Sequence, residues 1–155
     1  MNIEKLEKHP HLVPEIAEML QAQWSDLTRW SSASEIAERL ARRNSGLNKE
    51  FTLLILADDG RVSGTVSVML YELNDIQERQ YWLGEVFTPL AYRGRGIATQ
   101  LIKAGIEQCR QFGISHLYLY TPDQQALYRK LGWHEIEQRQ VSGEQVSVMQ
   151  LTLHP

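Results

Sequence analysis

The sequence predicts one mixed α/β (α+β) domain over residues 1–155, a single sheet of about seven strands flanked by helices in the order β-α-α-β-β-β-α-β-α-β-β. Three observations carry this. Apolar residues recur at helical spacing in two N-terminal stretches and again over 97–112. Residues 51–70 are instead rich in β-branched side chains on either side of a turn signal. From 81 to 121 a strand, a glycine turn, a helix and another strand follow in succession, and the two strands of such a unit lie parallel.

Composition agrees with this class. A length of 155 residues suits one core. Hydrophobic residues at 43% and charged residues at 23% are those of an ordinary soluble globular chain. A net charge of -3 and a pI near 5.9 argue against a broad basic footprint for nucleic acid or an anionic membrane. No apolar run approaches the roughly 20 residues of a membrane helix, and residues 1–20 lack the apolar core of a secretory signal. The only cysteine is Cys109, so a disulfide within the chain is excluded and a cytoplasmic location is expected.

The elements follow in order. Residues 2–7 alternate weakly and give a first strand. Pro10 and Pro14 bracket a helix entry, and Leu12, Ile16, Leu20 and Trp24 predict a helix over 13–24. Ser32 and Glu35 form a capping box ahead of Ile36 and Leu40, the stripe of a second helix. Arg39, Arg42 and Arg43 read as its solvated face. "FTLLILA" and "VSGTVSVML" form a hairpin in which Asp59-Gly60 signals a type I′ turn. A polar loop leads to the strand "YWLGEVF" at 81–87. Ile97, Leu101, Gly105, Cys109 and Phe112 then form one helical stripe, with Gly113 as its C-cap. "ISHLYLYT", a short helix ended by Gly132, and two strands about Ser142-Gly143 complete the chain. The final hairpin offers an edge for a homodimer.

The stretch "AYRGRGIATQ" places Gly94 and Gly96 between a strand and a helix. Such a turn points free backbone N–H groups at one spot, where the helix dipole adds positive charge, and so suits phosphate. Arg93 and Arg95 add charge-assisted donors. The P-loop pattern is absent, and Gly94, Gly96 and Thr99 miss the third glycine of a dinucleotide fingerprint.

Arg93, Gly96 and Ala98 match the [RQ]-x-x-G-x-[GA] signature of the GNAT superfamily of N-acetyltransferases, which the chain resembles. "VFTP" before the turn and "ALYRKLGW" at 126–133 are similar to two further family segments. The resemblance implies a centrally splayed sheet and acetyl-CoA as cosubstrate, with no metal. It implies that the pyrophosphate lies on the backbone from Arg93 through Gly94, Arg95, Gly96, Ile97 and Ala98 to Thr99. The pantetheine arm would pair with the backbone at Val86 and Phe87, the Phe87 N–H serving as oxyanion donor.

Acetyl transfer to an amine needs a neutral nucleophile, a donor for the oxyanion and a proton for the leaving thiolate. Tyr128 is the candidate acid, because the family commonly places its thiolate-protonating tyrosine in this helix. Glu85 is the candidate base, the one acidic residue of an apolar strand, where burial would raise its pKa toward neutrality. Trp24, Trp30, Glu72 and Tyr81 are candidate acceptor residues, since aromatic rings with carboxylates suit a cationic amine. The acceptor is a small-molecule amine or a peptide or protein N-terminus. The alternative is a non-catalytic acyl-CoA sensor or scaffold of the same fold. His9, His11, His116, His134 and His154 lack metal-ligand spacing and read as structural.

Overall fold

In the computed structural model, which describes residues 2–27 and 30–153, the chain runs through β1 (Ile3–Lys5), α1 (Val13–Trp24), α2 (Ala33–Arg42), β2 (Phe51–Leu56) and β3 (Val62–Leu70). It continues through β4 (Tyr81–Phe87), α3 (Ile97–Gln111), β5 (His116–Thr121), α4 (Gln125–Lys130), β6 (His134–Val141) and β7 (Glu144–Thr152). His154 lies outside the described residues. The strands form one sheet in the order β1-β2-β3-β4-β5-β7-β6. Every neighbouring pair is antiparallel except β4 and β5, as the β-α-β reading requires.

Each face of the sheet carries its own core. On one face α3 buries Ile97, Leu101, Ile102 and Cys109 against Phe51, Leu53, Val66 and Leu83. On the other, α1 and α2 bury Ile16, Leu20, Ile36 and Leu40 with Leu54 and Val62. The N-terminus of α2 is fixed as its capping sequence predicts, the Ser32 hydroxyl accepting from the Glu35 N–H at 3.3 Å.

The β2–β3 turn differs from the type I′ expectation. Gly60 is left-handed at φ 84, but Asp59 is not among the residues of positive φ, which a type I′ turn requires at both central positions. The Gly60 N–H donates to Ala57 O and the Ala57 N–H to Arg61 O. This is a type I turn closed by one left-handed glycine. The β6–β7 turn does take the primed form, with Ser142 at φ 51 and Gly143 at φ 83.

Cys109 is fully buried, and burial pushes its thiol up to about 12. The folded value lies above the ordinary one. The associated stability is therefore intact below the unfolded pKa of about 8.5 and lost as pH rises through the folded value. We predict that a thiol-reactive disulfide reagent leaves the native protein unlabelled near neutral pH and labels one thiol per chain after unfolding. Rapid native labelling would contradict the buried position.

Candidate active site

β4 and β5 share a single register pair, Trp82 with Tyr118, and beyond it β4 runs on from Leu83 to Phe87 without a described partner on that side. The sheet is open there. Val86 and Phe87 form one lip of the gap, Val86 packing on the α3 face and Phe87 on the α1–α2 face.

The glycine turn follows directly. Gly94 and Gly96 hold φ of 80 and 75, left-handed values that suit glycine, and a Cβ on either would meet nothing within 4 Å. Gly96 is the N-cap of α3, and its carbonyl accepts an α-helical bond from the Gln100 N–H at 3.0 Å. The N–H groups of the first helical turn have no intrahelical acceptor. Arg93 and Arg95 are exposed beside them, with Arg93 Nε donating to Thr88 O at 2.9 Å and Arg95 resting over the Tyr92 ring. Ile97 is buried beneath the turn, while Ala98 and Thr99 are half-buried. The hydroxyl of Thr88, at the exit of β4, is buried without a partner among the described residues. Open glycines, an orphaned hydroxyl and a helix N-terminus beside a split sheet fit the pyrophosphate and pantetheine of acetyl-CoA.

Tyr128 lies in α4 and joins the core on the α3 face. It is buried, and its ring meets Trp133 edge-on with centroids 5.9 Å apart. Burial, and then the charge of Glu72, push its phenol up to about 12, so it stays protonated at neutral pH.

Glu85 has surroundings that correct the sequence reading. It is not an acid alone among apolar neighbours. Its two oxygens meet the two terminal nitrogens of Arg43, the Nη2–Oε2 bond measuring 2.8 Å, and the Ser67 hydroxyl donates to Oε1. Arg43 Nη1 also reaches Thr52 and Ser67 at 3.0 Å each. Arg43 is therefore buried, not on a solvated face. Burial alone would lower its pKa, but the charge and hydrogen bonds of Glu85 raise it above the ordinary value. Arg39 is half-buried, its guanidinium 5.1 Å from the Trp30 ring, and only Arg42 is exposed.

The backbone explains how Glu85 reaches this pair. Its φ is 52, and the β3–β4 register shifts between Thr65 and Ser67. This is a bulge. Normal alternation would send Gly84 and Glu85 to opposite faces. The bulge puts both on the α1–α2 face, and the Thr65 hydroxyl holds the Glu85 carbonyl at 2.9 Å.

The α1–α2 face also carries a cleft of about 210 Å³ lined by Leu27, Trp30, Glu72, Leu73, Tyr120, Val141, Ser142 and Glu144. Two of the four candidate acceptor residues, Trp30 and Glu72, line it. Trp24 stands behind, 5.1 Å from the Trp30 ring and 6.2 Å from Phe87. Tyr81 does not belong there. It packs on the α3 face, where burial raises its pKa, because its place in β4 before the bulge points it away from the cleft.

A model of the acetyltransferase (GNAT) family matches residues 13–133, and the chain belongs to that family. The protein is an N-acetyltransferase by class. No curated protein matches the sequence. The fold is similar to a GNAT-family acetyltransferase from Streptococcus pneumoniae, at 19% identity over 97% of this chain and 98% of that one, TM-score 0.74. It is also similar to a ribosomal-protein-alanine N-acetyltransferase from Brucella melitensis, at 16% identity over 98% and 99% of the two chains, TM-score 0.77. An aminoglycoside 6'-N-acetyltransferase complexed with coenzyme A matches at 15% identity over 100% and 98%, TM-score 0.73.

Arg43, Thr52, Ser67 and Thr88 were not singled out from the sequence as site residues. Arg43 had a readable signal, since Ile36, Leu40 and Arg43 stand at i, i+4 and i+7 on the stripe of α2. The ion pair predicts a specific pattern of stability. Arg43→Met should cost about 3–5 kcal/mol by stranding the Glu85 charge, and Arg43→Met with Glu85→Leu should recover much of that loss. Urea denaturation of wild type, both single variants and the pair measures the coupling; additive losses would contradict it.

Proposed function

We propose that the protein transfers acetyl from acetyl-CoA to a primary amine by direct attack within a ternary complex. The observation that supports this most is the opening of the sheet after Trp82–Tyr118, bounded by the glycine turn at one end and by Tyr128 and the acceptor cleft on its two faces. Bound acetyl-CoA supplies the activated thioester. Backbone N–H groups from Arg93 to Thr99, with the Arg93 and Arg95 side chains, hold the pyrophosphate. Val86 and Phe87 offer backbone to the pantetheine arm, and the Phe87 N–H polarises the acetyl carbonyl.

The amine enters from the cleft on the opposite face. Glu72 and Glu144 with Trp30 and Tyr120 form a carboxylate-and-aromatic lining that favours a cationic acceptor. Proteins of this fold include enzymes named for aminoglycosides and for ribosomal-protein alanine, so both a small polyamine-like amine and a peptide N-terminus come within the class. Tyr128, protonated at neutral pH, donates to the departing sulfur. Glu85 works from inside its ion pair as the holder of the bulge, and its bonded oxygens do not support the role of free base, so the attacking nitrogen gives its proton to water as the C–N bond forms and the C–S bond breaks.

Two measurements test this. Gly96→Ala places a methyl group where the phosphate approaches, so calorimetry should show acetyl-CoA binding weakened at least tenfold, about 1.4 kcal/mol. The left-handed backbone also makes this variant about 1–2 kcal/mol less stable, so binding is read well below its melting transition. Unchanged affinity would remove the phosphate site. Tyr128→Phe should lower kcat about 10²-fold at unchanged acetyl-CoA affinity. Acetyl-CoA binding without thiol release for any amine would instead favour a non-catalytic sensor.

A further inference from the structure

Glycine in the middle of a strand weakens it, and Gly84 sits in the middle of β4. Its reason is spatial. A Cβ there would lie 2.9 Å from Met69 Cε and 3.1 and 3.2 Å from the two oxygens of Glu72. The Glu72 carboxylate thus rests on the β4 backbone, one residue before the bulge and beside the gap in the sheet.

The loop after β3 brings it there. Tyr71 turns left-handed at φ 51 as the chain leaves β3, and its N–H donates to Gln80 O at 2.8 Å. Further along, Arg139 of β6 bonds Asp75 at 3.0 Å, and Arg79 bonds Glu137 of β6 at 3.0 Å. The loop is thereby tied at both ends. Glu72 lines the acceptor cleft on the α1–α2 face, and its charge acts on the phenol of Tyr128 in the core of the α3 face.

We propose that Glu72 is the specificity-determining residue that binds a second, non-reacting ammonium of the acceptor beside the transfer site, so that the attacking nitrogen itself is neutral, with Gly84 reserved as the seat of the carboxylate. This deepens, and rests on, the acetyl-transfer reading of the same site. The site thereby selects amines that carry a positive charge next to the reacting position and rejects those with a neighbouring carboxylate. It also couples the two substrates' chemistry. An ammonium that neutralises Glu72 removes the negative charge that makes the Tyr128 proton harder to lose, so the acid is strengthened when the acceptor is in place.

The test uses the intact protein and Glu72→Gln, which keeps shape and removes charge. Thiol release is measured at saturating acetyl-CoA with three probes, each carrying a second ammonium: a linear alkyl diamine, an aminoglycoside and a peptide that begins with alanine followed by lysine. For whichever probe wild type acetylates, Glu72→Gln should raise KM at least tenfold while the acetyl-CoA Kd is unchanged. Gly84→Ala, which crowds the carboxylate off its seat, should raise the same KM. A readout independent of turnover accompanies these. The phenolate absorbance of Tyr128, isolated by subtracting the titration of Tyr128→Phe, should appear at lower pH in Glu72→Gln. Wild-type turnover with an unaltered KM in Glu72→Gln would overturn the assignment of Glu72 alone. No thiol release from wild type with any probe would overturn the acetyl-transfer reading, and this inference with it.

Discussion

Arg43 and Glu85 meet in the interior with two hydroxyls around them, and removing two charges from water costs several kcal/mol per ion unless geometry compensates. Here it does. The guanidinium and carboxylate face each other in a two-pronged arrangement, Thr52 and Ser67 take further donors and acceptors, and the Glu85 carbonyl is held by Thr65. The pair links the end of α2 to three consecutive strands. It also holds β4 at a left-handed, non-glycine residue, a conformation that costs about 1–3 kcal/mol and persists only when its surroundings fix it. Without that bulge, Glu85 would turn into the α3 core. The end of β4 would have no reason to leave the regular ladder, and the gap beside Val86 and Phe87 would have no fixed edge.

On the proposed reading, the gap makes the two faces of the sheet one site. A closed sheet would keep Tyr128, packed against α3, apart from Glu72, packed over Gly84. With β4 and β5 parted, the proposed acid of the α3 face and the Glu72 carboxylate of the other are no longer divided by a continuous ladder. The glycine turn lies in the segment that joins β4 to α3, after a 3-10 turn at Leu90–Tyr92. On that reading, phosphate recognition, thioester placement and acceptor entry are consequences of one local departure from strand geometry. The aromatic chain from Trp30 through Trp24 to Phe87 ties the helical face to the lip of the gap.

How much of this could be read from the sequence depended on range. The Ser32 cap, the helical stripes, the β-α-β unit and the glycine turn are written in neighbouring residues, and the structure has them. The glycine turn is legible because it is made of backbone, for which glycine is the marker. The setting of Glu85 was not legible, because its partner stands 42 residues away and a bulge changes which face its side chain takes. Tyr81 was misread for a related reason. Strand alternation gives two faces but does not say which of them lines the cleft. Asp59-Gly60 signalled a turn correctly, but its type depends on the number of loop residues, which is set by where the strands pair.

The most direct measurement of the central claim is the function of the Arg43→Met, Glu85→Leu double variant, in which the charges are replaced without leaving either one stranded. Acetyl-CoA affinity and kcat are measured together on folded protein. If the ion pair holds the bulge that opens the sheet, the variant folds but binds acetyl-CoA at least tenfold more weakly, with a lower kcat. Wild-type affinity and wild-type kcat in that variant would contradict the account, showing that the gap in the sheet is maintained without the buried pair.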